Sequence, residues 1–233
     1  MIKKHRQKRN NDESKLITSK NPKSPVSEAF RTIRTNIEFS GIDAKIKTIL
    51  VTSSQPGEGK STVTANLAVS MATGGKRVLL IDADLRNPTQ QRFFPIAPTL
   101  GLTNLLLDET LTLEEVIINP EDNLFLLTSG PTPPNPAELL GSAKMRTFIT
   151  SMSEVFDIIL VDSPPVLAVA DASILANYLD GTILITGAGD VPRERTLAAK
   201  EQLTKVKANI IGTILNKAPM NEGYYYQYYY GSR

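Results

Sequence analysis

The sequence contains no cysteine, which excludes disulfides and thiolate metal sites and fits a reducing compartment. It has no run of the about 18 apolar residues that a helix needs to cross a bilayer, so no membrane span is expected. No apolar stretch follows the basic start, so it does not read as a secretory signal. Excess charge is also missing: 26 lysines and arginines face 24 aspartates and glutamates. So balanced a chain is not built to wrap a polyanion, and no nucleic-acid partner is expected. What basicity there is sits in one place, where Lys3, Lys4, Arg6, Lys8 and Arg9 crowd the start.

What is present is enough for a core. With 233 residues, 41% of them hydrophobic, the chain suits one globular domain. It is organised around residues 47–61, KTILVTSSQPGEGKS. An apolar, β-branched run (Ile49, Leu50, Val51) stops at polar residues. A turn rich in glycine (Gly57, Glu58, Gly59) follows, then Lys60, Ser61 and Thr62 open a helical pattern. Strand, glycine loop and helix make a phosphate cradle. Glycine admits the phosphates where a Cβ would collide, the loop amides converge on the anion, and the helix N-terminus adds about half a positive charge. Lys60 can reach the terminal phosphates and the Ser61 hydroxyl can bind Mg²⁺. The usual spacing is G-x-x-x-x-G-K-[ST]; here Ser54 stands at the first glycine.

Around this centre, residues 1–23 read as a polar, basic arm, either simply solvated or weakly drawn to anionic lipid. A helix over 25–40 starts at Ser24 and Pro25, an N-cap followed by a first-turn proline. Val26, Phe30, Ile33 and Ile37 form its apolar stripe at about 100° per residue. Glu28, Arg31 and Arg34 project away from that stripe, either as self-satisfying i,i+3 pairs or as a contact between subunits. After the phosphate loop, Val63, Leu67 and Met71 mark the buried side of a helix that ends at Gly74 and Gly75. A continuous apolar run over 78–81 follows, the pattern of a parallel strand buried on both faces. It delivers Asp82 and Asp84 to the sheet edge where open α/β sheets bind ligands. Residues 87–123 are less regular, with helical pieces near 102–107 and 112–118. A short strand over 124–127, a helix over 137–152 and a second acid-ended strand over 157–162 come next. Strand, helix and strand then recur over 181–186, 193–207 and 210–215, ending at Asn216. No internal repeat is visible beyond this alternation, and no linker interrupts 25–217. The expected fold is therefore α/β: a doubly wound, mostly parallel sheet of the P-loop NTPase type, with helices on both faces. The domain spans 24–217 and residues 218–233 form a tail. That tail holds Tyr224, Tyr225, Tyr226, Tyr228, Tyr229 and Tyr230, six of the seven tyrosines.

Phosphoryl transfer needs alignment and charge neutralisation more than covalent chemistry. Lys60 and the loop amides suit the phosphates. Ser61 and a carboxylate suit Mg²⁺, with Asp162 fitting that role. Asp82 and Asp84 end one strand, so one can take a proton from an attacking hydroxyl while the other holds metal or substrate. Mutual repulsion raises the pKa of one of them. These features indicate an NTP–Mg²⁺ site without identifying the acceptor: water makes an ATPase, a hydroxyl makes a kinase. The tyrosine tail leaves the last strand near the phosphate-loop edge, and its sixteen residues after Lys217 span at most roughly 50–55 Å.

Several motifs together resemble the bacterial tyrosine kinases of capsule and exopolysaccharide operons, cytoplasmic type. SSQPGEGKS is similar to that family's Walker A, LLIDADLR to its aspartate-rich second Walker motif and IILVDSPP to its Walker B. PNPAELL, the E-x-x-R-x-x-R helix and the terminal tyrosines also fit, so the likeness runs from about residue 22 to the end. The resemblance implies ATP–Mg²⁺-dependent autophosphorylation of the tail between subunits of a ring-like homo-oligomer, with Glu28, Arg31 and Arg34 at the subunit interface. It implies a cytoplasmic protein recruited to the membrane by a separate transmembrane adaptor that activates it, protein tyrosine substrates, and a cognate tyrosine phosphatase. It assigns phosphate binding to Lys60, Mg²⁺ to Ser61, Asp82 and Asp162, the base to Asp82 with Asp84 beside it, and an adenine contact to Asn216. A partitioning or cell-division ATPase of the same fold branch is the alternative. Those proteins carry an extra lysine early in the phosphate loop, where this chain has only Lys60.

Overall fold

The computed structural model describes residues 16–40, 46–94, 96 and 99–219. The basic residues near the start and all six tail tyrosines lie outside these. In chain order, α1 (Ile17–Lys20) and α2 (Pro25–Ser40) precede β1 (Thr48–Ser53), and α3 (Lys60–Thr73) joins β1 to β2 (Val78–Asp82). A single 3-10 turn over Gln90–Arg92, then α4 (Leu102–Leu107) and α5 (Leu113–Val116), lead to the hairpin of β3 (Ile117–Glu121) and β4 (Leu124–Leu127). Helices α6 (Pro136–Gly141) and α7 (Ala143–Val155) precede β5 (Ile158–Asp162), and α8 (Asp171–Ala176) precedes β6 (Gly181–Gly187). Helix α9 (Arg193–Lys205) crosses over to β7 (Ile210–Asn216).

The seven strands form one sheet in the order β3-β4-β2-β5-β1-β6-β7. Every pair is parallel except β3 with β4. The apolar runs dictate this: every residue of β1 and of β2 is buried, which requires helices on both faces. Alternation along the strands sorts the side chains between two cores. Ile49, Val51, Leu80, Leu160 and Ile185 pack with Val63, Leu67 and Met71 of α3. Leu50, Leu79, Ile81, Ile159 and Val161 face the other way, onto Met145 and Ile149 of α7, Leu175 of α8 and Leu203 of α9.

Register sets the geometry of the site. Val51 of β1 and Asp82 of β2 both lie beside Asp162 of β5. Two carboxylates therefore stand abreast at the C-terminal edge, next to the loop that leaves β1.

Several expectations change. The arm expected through residue 23 is packed from Leu16 onward. Leu16 is buried, and Thr18 is bound through its backbone N–H to the Asn66 side chain at 3.1 Å and through its hydroxyl at 3.0 Å. Val26 is 37% exposed and falls outside the α2 stripe, which is carried by Phe30 and Ile37. The expected helix over 137–152 is two helices, because Ser142 is extended and its Oγ accepts from Met145 N at 3.1 Å, capping α7. Strand β3 was not anticipated. Its Pro120 reads as a breaker, yet an edge strand tolerates a residue that cannot donate, and Asn123 closes the turn with a positive φ of 60°. Among the described residues, no helix is long and apolar enough to cross a membrane.

Candidate nucleotide site

Lys60 opens α3 directly after two residues of left-handed backbone, Gly57 at φ 89° and Gly59 at φ 86°. Both positions favour glycine, and at Gly59 a larger residue would also displace the Asn216 side chain from the loop. A Cβ there would lie 2.2 Å from the Asn216 side-chain nitrogen. The loop so formed floors a cavity of about 510 Å³, lined among others by Gly57, Glu58, Gly59, Lys60, Ser61, Thr62, Asp84, Asn87 and Arg92. The first-turn amides of α3 lack partners within the helix, so they can meet an anion.

The loop is braced from inside. The Glu58 side chain is buried. One of its oxygens accepts from Ser54 Oγ at 2.7 Å and Gln55 N at 2.8 Å, and the other accepts from Gly187 N at 2.9 Å. Glu58 can thus offer a ligand only its backbone; its carboxylate ties the loop to β6. From the far strand, Asn216 Nδ2 donates to Glu58 O at 2.8 Å and Lys217 Nζ to Gly57 O at 2.8 Å. Lys217 also pairs with Asp190. Asn216, expected at adenine, is here bound to the phosphate loop through its amide nitrogen.

Lys60, Ser61 and Asp162 meet at the loop's end. Lys60 Nζ lies 2.6 Å from Asp162 Oδ1 and 3.1 Å from Ser61 Oγ, with Lys60 and Asp162 both buried. The second Asp162 oxygen accepts from Gln90 Nε2 at 2.7 Å. Asp82 is buried completely. Its Oδ2 accepts from the backbone N–H groups of Thr89 and Gln90, each at 2.9 Å, and its Oδ1 accepts from Asp84 N at 3.2 Å. Burial, with the Asp162 carboxylate next in effect, pushes the Asp82 carboxyl up to about 7. Burial also raises Asp84. Asp84 accepts from the Asn87 backbone N–H at 3.0 Å and lines the cavity. The residue pattern leaves the base open between the two acids, and the resemblance assigns it to Asp82. The structure puts Asp84 on the wall and Asp82 behind it, holding the turn over 84–90.

The donors for a metal are all oxygens: the Ser61 hydroxyl and the Asp162 carboxylate. That set fits a hard cation such as Mg²⁺, which takes one or two protein oxygens and completes its shell with water and phosphate. Two buried carboxylates side by side also call for positive charge, and among the described residues Lys60 pairs with Asp162. Asp82 fits a direct ligand poorly, because both its oxygens are already engaged by backbone N–H groups. Among the described residues, no group of three or more acidic, histidine or cysteine side chains is placed to hold a metal ion.

Two features had no sequence signal. Gln90 joins β5, β2 and α3, yet nothing in the run PTQQR separates it from Gln91. Arg86 makes a two-pronged pair with the buried Asp171, at 2.9 and 3.1 Å, anchoring the loop after β2 to α8. On α2, Arg31 pairs with Glu28 and also reaches the Pro22 carbonyl. Arg34 does not point away. Its Nη1 donates to Ser70 O at 2.7 Å, on α3.

Strand, glycine loop and helix beside two acid-ended parallel strands define a P-loop nucleotide-binding domain, and the family described as AAA domain matches residues 46–188. Tyrosine-protein kinase YwqD of Bacillus subtilis is 46% identical over 214 residues, covering 92% of this chain and 90% of that protein. The putative tyrosine-protein kinase CapB of Staphylococcus aureus is 39% identical over 218 residues, covering 94% and 96%. Among solved structures, the chimerical protein CapA2B2 superposes with a TM-score of 0.85 at 37% identity, over 89% of this chain and 91% of that one. The chain belongs to the family of bacterial tyrosine-protein kinases found with capsule synthesis.

Proposed function

We propose that the protein is an ATP–Mg²⁺-dependent protein-tyrosine kinase that phosphorylates its own tail tyrosines, Tyr224, Tyr225, Tyr226, Tyr228, Tyr229 and Tyr230, between subunits of a ring-like oligomer. The observation that carries this reading is the junction of tail and site. The chain leaves β7 at Asn216 and Lys217, and both side chains are hydrogen-bonded to the phosphate loop. The chain that leads on to those tyrosines therefore leaves the described fold beside the loop that would hold the triphosphate. The names borne by the relatives support tyrosine as the acceptor.

In this mechanism the loop amides and Lys60 hold the phosphates. Ser61 and Asp162 would hold Mg²⁺, which would supply charge neutralisation for the transferring group. The Lys60 ammonium, paired with Asp162 here, would turn to the phosphates. Asp84, on the cavity wall with a raised pKa, takes the phenolic proton. Asp82 fixes the loop that carries it. Glu28, Arg31 and Arg34 belong to the subunit contact, although Arg34 already holds α3 within one copy. A transmembrane adaptor would recruit and activate the enzyme at the inner face of the membrane, a tyrosine phosphatase would reverse it, and the output would be control of capsule or exopolysaccharide production.

The test is incorporation of γ-labelled phosphate by purified protein with its activating fragment. Wild type is expected to label on tyrosine, and replacing all six tail tyrosines by phenylalanine is expected to remove the label while nucleotide affinity is unchanged. Release of free phosphate with no phosphotyrosine would favour a partitioning-type ATPase instead.

A further inference from the structure

Gln90 occupies a position that the mechanism has not used. It is completely buried, yet it is not on the cavity wall. Its side-chain amide donates to Asp162 Oδ2 at 2.7 Å and to the Ser61 backbone carbonyl at 3.1 Å. Its backbone N–H donates to Asp82 Oδ2 at 2.9 Å. One residue thus joins the phosphate-loop helix, the end of β2 and the end of β5. The orientation of the amide follows from chemistry, since a carboxylate and a carbonyl only accept and must meet the NH₂ end. The opposite end, Oε1, is buried with no partner among the described residues.

We propose that Gln90 is a positioning residue for the metal. Its amide holds one Asp162 oxygen, so that the other would be free for Mg²⁺ when Lys60 turns to the phosphates. This rests on the reading that Ser61 and Asp162 hold Mg²⁺. Side chains that orient a metal ligand in this way typically change metal affinity about ten- to a hundredfold when lost.

The experiment reads binding, not turnover. ADP affinity is measured by calorimetry in chelator and in saturating Mg²⁺, and the ratio gives the factor by which the cation tightens nucleotide binding. Gln90→Met keeps the volume and removes the donor; it is expected to lower that factor at least about tenfold and to leave affinity in chelator unchanged. Gln90→Leu, which lacks both polar ends, is expected to do the same, and it carries the test if Gln90→Met fails to fold. In an Asp162→Asn background the Gln90 change is expected to add little, because Gln90 acts through that carboxylate; a purely packing role would add its full effect there. A full Mg²⁺ factor in a folded Gln90 variant overturns the proposal while leaving the metal site standing. A wild type in which Mg²⁺ does not tighten ADP overturns both.

Discussion

The edge of the sheet at the phosphate loop and the outer face of α2 treat charge in opposite ways. At the edge, Glu58, Lys60, Asp82 and Asp162 are buried, and each is bonded to groups from other parts of the chain. On α2, the Glu28–Arg31 pair sits three residues apart, with side chains 41% and 37% exposed. Buried charges must be matched by defined partners or they are very costly, whereas exposed pairs contribute little to stability. The nucleotide site is therefore written into one copy of the fold. The α2 face is not, and its meaning depends on what meets it.

That contrast can be tested by removing charges in each region. The largest effect is expected for Lys60→Met. It removes the ammonium that pairs with Asp162 and is proposed to hold the phosphates, so label transfer from γ-labelled ATP should vanish. Stability of the nucleotide-free protein in urea should fall by about 3–5 kcal/mol, because a buried carboxylate loses its partner. Retained labelling would contradict the role given to Lys60. Glu58→Ala comes next: it strips acceptors from Gln55 N and Gly187 N without touching the ligand side. A loss of about 2–4 kcal/mol is expected in the same urea titration, together with weaker ADP binding from an unbraced loop. The smallest stability change belongs to Glu28→Ala with Arg31→Ala, within about 1 kcal/mol. Their expected signature lies in sedimentation, as a shift toward smaller species. If Glu28 and Arg31 cost several kcal/mol in the monomer instead, the distinction between the two regions collapses.

The sequence carried the sheet well because apolar runs ending in acids leave few alternatives. Parallel register then places Asp82 and Asp162 together without further information. It carried the phosphate loop because GEGKS fixes both backbone and chemistry. It carried much less where a side chain could turn either way. Arg34 reads as exposed from helical spacing, yet a long arginine can fold back to a carbonyl on the next helix. Glu58 reads as part of a ligand loop, yet its carboxylate faces inward. Asp82 and Asp84 differ by one residue between them, and only the turn over 84–90 decides which meets the cavity. Gln90 was invisible for the same reason: its role is defined by elements far away in sequence.

The pair of bonds from the last strand has an electrostatic consequence. A loop that receives a polyanion must show it hydrogens and hide its own oxygens. The Gly57 and Glu58 carbonyls are capped by Lys217 and Asn216 from outside, so two negative dipole ends are screened before any phosphate arrives. The seventh strand is thus less a sheet margin than a lining that sorts the loop's polarity.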